Sequence, residues 1–133
     1  QTDRWFDEYH EYENSAPAIA DYDGVSYAHF FSSGNFGSAM SGMHHANALL
    51  AHRHHSSTCG HSHKRDLKFK DASHPNGVIG LVAGCYKGAA EGWAGQANKE
   101  WWSGIVVKRE VENGMYDPEF ISQSRLKAMY GQT

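Results

Sequence analysis

Ser56-Ser-Thr-Cys-Gly-His-Ser-His-Lys-Arg-Asp66 is the stretch on which the reading of the fold turns. Its first four residues form a short β-prone run, and Gly60-His61-Ser62-His63 follows directly. On extended backbone, residues i and i+2 point to the same side, so His61 and His63 can aim two imidazoles into one pocket. Neutral imidazole is the commonest protein ligand of transition metals. Two solvated surface histidines satisfy the same spacing, so the flanking sequence has to decide.

Upstream, Val25-Ser-Tyr-Ala-His-Phe-Phe31 reads as a buried strand with His29 near its C-terminal end. A histidine in an apolar strand is often a hydrogen-bonded core residue, but strand C-terminal ends in α/β folds are also where ligands bind. A Gly/Ser-rich loop over 36–42 follows. Residues 43–54 then carry Met43, Ala46, Leu49 and Leu50 at helical spacing, which predicts a short amphipathic helix. His44, His45, His52 and His54 fall on its other face, with His45 and His52 two turns apart on a shared side. Strand, loop, helix, strand is one crossover unit, which predicts parallel pairing of 25–31 with 56–59. That pairing brings His29 to the same sheet edge as His61 and His63.

Downstream the pattern changes. Residues 66–70 and 78–83 (Val-Ile-Gly-Leu-Val-Ala) read as an antiparallel hairpin around a turn at Pro75-Asn76-Gly77. Residues 84–99 form a Gly/Ala-rich loop containing Trp93. Residues 101–111 read as a strand centred on Ile105, Val106 and Val107, and Asn113-Gly114 marks a turn. Asp117-Pro118 reads as the end of the sheet. Ser122 caps a last helix through Tyr130, with Leu126 and Met129 inward and Gly131 closing it. At the other end, residues 1–22 form an acidic, aromatic arm (Trp5, Tyr9, Tyr12 and Tyr22 among Asp7, Glu8, Glu11 and Glu13), followed by a turn at Asp23-Gly24.

The chain's 133 residues suit one domain with an ordinary core. A net charge of -3 gives no basic footprint for nucleic acid, and no apolar run approaches the ~20 residues that span a bilayer. Ten histidines make the charge sensitive to mild acid. Cys59 and Cys85 are too few for a disulfide framework, which fits a reduced, cytoplasmic setting.

Residues Val25 to His29, Gly60-His61-Ser62-His63 and the antiparallel strands after them resemble the C-terminal half of a calcineurin-like metallophosphoesterase. The wider run, through Leu81-Val-Ala-Gly-Cys85 and Trp101-Trp-Ser-Gly-Ile-Val-Val107, is similar to the phage and prophage type. The resemblance covers roughly residues 23–131, taken as the domain that follows the arm. It implies an α/β, α+β sandwich-like fold, with mixed sheet strands and flanking helices, as in the C-terminal half of that family's four-layer sandwich. It also implies a divalent transition metal, Mn, Fe, Zn or Ni. His29 matches the family's lone strand-end histidine and His61 and His63 its closing Gly-His-x-His. By that match His29 and His61 bind one metal and His63 the other.

The family's earlier Asp-x-His, Gly-Asp-x-x-Asp and Gly-Asn-His-Asp/Glu elements have no counterpart in the sequence, so the resemblance assigns no catalytic or substrate-binding residue. The expected function is the metal-binding C-terminal portion of a phosphoesterase, inactive alone. Hydrolysis of a phosphoester or nucleic-acid substrate would require a partner chain that supplies the missing motifs. No membrane is expected, and the setting is the host cytoplasm or a virion. The alternative is a non-enzymatic phage structural or decoration protein reusing the half-fold, with Trp93, Trp101 and Trp102 as interface anchors. A third reading is a metal-storage or sensing module built on His44, His45, His52 and His54. A half-sandwich should leave 78–83 and 105–107 half covered, favouring assembly with another chain or with itself.

Overall fold

The computed structural model describes residues 7–14, 16–34, 37–71, 77–89 and 91–131. Trp5 and the Pro75-Asn76 part of the expected turn lie outside them. In chain order the elements are β1 (Ala20–Tyr22), β2 (Val25–Ala28), β3 (Ser32–Ser33), β4 (Ser38–Ala39), α1 (His45–Arg53), β5 (Ser57–Cys59), β6 (Arg65–Lys70) and β7 (Val78–Ala83). Two 3₁₀ turns over Gly92–Glu100 follow, broken at Gly95, and then β8 (Gly104–Glu112), β9 (Met115–Ser122) and α2 (Gln123–Tyr130).

The central sheet has the order β1-β2-β5-β7-β6. β2, β5 and β7 run parallel, and β1 and β6 pair antiparallel at the two edges. The mixed sheet with flanking helices is an α+β arrangement, as expected. The crossover from β2 through α1 to β5 and the β6–β7 hairpin are also where the sequence places them.

Side-chain alternation along β7 builds the layers. Val82 joins Phe31, Met40, Ala46, Leu49 and Cys59 beneath α1. Ile79 and Leu81 join Val25 and Tyr116 beneath the β8–β9 hairpin. Both faces of β7 are therefore covered within the chain. That corrects the expectation of a half-covered 78–83, because the β8–β9 hairpin closes the second face; Ile105 stays 40% exposed. Gly80 faces the helix, where a Cβ would run into the Ala46 carbonyl oxygen and crowd Leu50. The missing side chain sets how closely α1 approaches the sheet.

Two turns lock the layers together. Asp23 and Gly24 both have positive φ, as do Asn113 and Gly114, which is the geometry of two-residue hairpin turns whose twist matches the strands. The turns abut: Gly114 N–H donates to Asp23 O at 2.8 Å, and a Cβ on Gly24 would lie 2.5 Å from Gly114 N. The buried Ser56 hydroxyl donates to Gly114 O (2.7 Å) and accepts from Ile79 N–H (3.0 Å).

Several local expectations are corrected. β2 stops at Ala28, and His29 lies just beyond it, exposed. The helix begins at His45, so Met43 is 77% exposed, while His45 is completely buried. His45 and His52 lie two turns apart on one side of α1, but His45 is buried and His52 exposed, so the expected solvated histidine face is broken. β9 continues through Asp117 and Pro118 to Ser122. β9 pairs on one side only, so a residue without an N–H fits there. In α2, Met129 is exposed rather than inward, and Leu126 is half-buried.

Candidate functional site

β2 and β5 end side by side, with Ala28 opposite Cys59. The ladder runs one step further, as Gly60 N–H donates to His29 O at 3.1 Å. His29 and the Gly60–His63 segment thus leave the sheet at one edge. The segment then folds tightly: Ser62 N–H bonds Gly60 O at 2.6 Å, and both His61 and His63 have positive φ. Left-handed backbone at two non-glycine residues costs on the order of 1–3 kcal/mol each, and such strain clusters at functional sites.

The turn brings His29 Nε2 within 2.9 Å of His61 Nδ1. One ring donates and the other accepts, so the pair cannot be doubly protonated without placing N–H against N–H. Burial and then His61 hold His29 below the ordinary histidine range. Phe30 flanks the pair, 5.1 Å from His61, and Tyr12 of the arm lies 6.3 Å from His29.

His63 turns elsewhere. Its ring meets Trp101 edge-on at 4.5 Å, and its carbonyl accepts from Trp102 N–H at 2.9 Å. Burial lowers its pKa, Lys87, His61 and His29 act in the same direction, and Glu91 opposes them. The structure therefore joins two of the three expected ligands and sets the third against an indole. Among the described residues no group of three or more His, Cys, Asp or Glu side chains converges to hold a metal ion.

The donor set can still be tested against a metal. Metal–nitrogen bonds of 2.0–2.1 Å at tetrahedral or square angles put adjacent donors roughly 2.9–3.3 Å apart. The His29–His61 separation matches such an edge. Among the described residues no carboxylate joins it, and His63 would have to leave Trp101, so these residues fit half of a site. The Cys59 thiol next to the turn is no ready ligand, since burial pushes its pKa up to about 12.

His45, which the sequence places in the helix's polar histidine stripe, is instead buried against the turn. From the first turn of α1 it contacts Ser62 Oγ through Nδ1 (3.1 Å) and Cys59 Sγ through Nε2 (3.6 Å), bracing the turn between its two exposed-side histidines. Its spacing four before Leu49 was the available signal, since that puts it on the apolar face. The N-cap His44 makes no side-chain cap, and Asp66 from β6 substitutes, with Oδ2 accepting from Ala46 N–H at 2.8 Å. That carboxylate favours a protonated His45, but burial outweighs it and lowers the pKa.

No family model, curated protein or solved structure matches the chain.

Proposed function

We propose that the chain is the metal-binding C-terminal portion of a calcineurin-like phosphoesterase. The observation that carries the proposal is the 2.9 Å contact between His29, at the end of β2, and His61 of the Gly-His-Ser-His turn, at the end of the neighbouring parallel β5. His29 and His61 bring two imidazole nitrogens together, and a metal would take the place of the hydrogen that they share. His63 is the adjoining ligand once its ring leaves Trp101. A divalent transition metal bound there supplies Lewis-acid polarisation of a phosphoryl oxygen and an activated water. His45 holds the turn through Ser62, and Phe30 and Tyr12 flank the pair. The acidic ligands come from another chain, and hydrolysis of phosphodiesters or phosphomonoesters depends on it.

The test is metal content by mass spectrometry for the wild type and for the His61→Ala/His63→Ala double variant. About one metal per chain, lost in the double variant, is the expected outcome. Hydrolysis of bis-nitrophenyl phosphate should then appear only when a partner bearing the missing motifs is added. A metal-free wild type, with the double variant folded normally, would sink the proposal. It would favour the structural-module reading, which the engagement of His63 by Trp101 also supports.

A further inference from the structure

The negative charge of the chain is gathered at one edge of the central sheet. From Asp7 to Asp23 the sequence holds six carboxylates and no lysine or arginine, whereas from Gly24 onward eleven lysines and arginines outnumber eight carboxylates. The arm that carries this charge is exposed and is held on the β1 side. Tyr22 of β1 donates its hydroxyl to Glu8, and His10 Nε2 lies 3.2 Å from the same oxygen. Among the described residues Glu11 and Glu13 form no ion pair. Tyr9 and Tyr12 between them are 64% and 54% exposed.

β6 forms the opposite edge of the same sheet. Leu67 N–H donates to Asp66 Oδ1 at 2.9 Å rather than to β7. Backbone groups alternate in direction along an antiparallel strand, so Leu67 and Phe69 turn theirs outward. Among the described residues no backbone group of another element meets them. Beside this edge, concavities of about 410 and about 200 Å³ share Asn47 and Lys68 and run together as one groove between α1 and β6. Leu50, Ala51 and Phe69 give it an apolar wall, and Lys68 and Lys70 give it positive charge. Neither lysine forms an ion pair among the described residues. The acidic residue of this edge, Asp66, spends its two oxygens on Leu67 N–H and Ala46 N–H.

An open strand edge with an apolar groove and two uncompensated lysines suits an extended segment that carries carboxylates and aromatic rings. Lysines on an edge repel a second β6 laid against them and admit an acidic strand. The chain's own arm is held at β1, four strand spacings or roughly 19 Å away. We propose that the β6 edge docks the acidic arm of a second copy of this chain, with Glu11 and Glu13 meeting Lys68 and Lys70. The proposal is independent of the metal site. Arm and groove lie on opposite edges, and β1 and β6 run in the same direction, so the contact is head-to-tail. Such a contact propagates into a filament or closes into a ring, and does not stop at a two-fold dimer.

Sedimentation of the full chain over a range of protein and salt concentrations tests the proposal. Mass should rise with protein concentration and fall as salt screens the contact. Lys68→Glu/Lys70→Glu and Glu11→Lys/Glu13→Lys should each weaken self-association about tenfold or more, since like charges then face each other. All four positions are exposed, and circular dichroism checks that the variants are folded. The quadruple variant, with both edges reversed, should assemble again, and so should an equimolar mixture of the two double variants. A wild type that stays monomeric at its highest soluble concentration overturns the proposal. So does assembly that survives Lys68→Glu/Lys70→Glu, or a folded quadruple variant that does not regain it.

Discussion

The Lys108 ammonium lies 4.1 Å from the Tyr27 ring centroid, a cation from the β8–β9 hairpin set on an aromatic face of the central sheet. The Tyr116 centroid is 4.4 Å away, and Thr58 Oγ1 accepts from the ammonium at 2.6 Å. Among the described residues it forms no ion pair with a carboxylate. Burial pulls its pKa from 10.5 down to about 8. Between those values the unfolded chain binds more protons than the folded one, so stability should rise with pH across the window. Urea denaturation from about pH 8 to about 9 in a Cys59→Ala background, which removes the opposing pull of a thiol raised to about 12, should show that rise. Lys108→Met should remove it, and a slope that persists in the variant would assign the effect elsewhere.

Ser56→Ala should destabilise by about 2 kcal/mol, because it leaves Ile79 N–H and Gly114 C=O buried without their shared partner. The denaturation midpoint should fall with an unchanged m-value. A change under a few tenths of a kcal/mol would mean that water replaces the hydroxyl.

His45 governs the acid side. Burial holds its folded pKa below 6.5, so the unfolded chain takes up protons first as pH falls. Its contribution to stability is therefore present above 6.5 and is lost progressively below. His45→Gln keeps a hydrogen-bonding group for Ser62 without a titrating ring. It should reduce the acid-dependent loss measured by denaturation between about pH 7 and about pH 5, with His29 and His63 accounting for what remains.

Metal affinity should divide the histidines unequally. His29→Ala and His61→Ala each remove one half of the facing pair, whereas His63 already spends its ring on Trp101. Competition with a chromophoric chelator should show either of the first two losing about tenfold more Zn²⁺ affinity than His63→Ala. Equal losses for all three would show that His63 leaves Trp101 to bind as a full ligand.

The parts of the fold legible in the sequence are those written in local pattern. Apolar runs at 25–31 and 78–83, the periodicity around Ala46 and Leu49, and the Asp23-Gly24 and Asn113-Gly114 turn signals suffice to place the crossover unit, the β6–β7 hairpin and two further turns. β1 was not legible, because Ala20–Tyr22 is polar and largely exposed and is held by the turn that follows it. Pro118 reads as a strand end, yet it is tolerated on a strand with one open side. At the site, the approach of His29 to His61 followed from parallel pairing. The turning of His63 did not, since it depends on Trp101, a residue from a distant loop. His45 was misplaced because a histidine is normally assigned to the wet face of a helix.

The bare Cα of Gly80 has a reach well beyond its own strand. It sets the height at which the first turn of α1 rides over the sheet, and that turn carries His45, whose ring holds Ser62 between His61 and His63. The spacing of the imidazoles at the rim is therefore gauged from a hydrogen atom in the middle of the molecule. Tuning this site need not touch the site at all: one methyl group added at the centre would reset it.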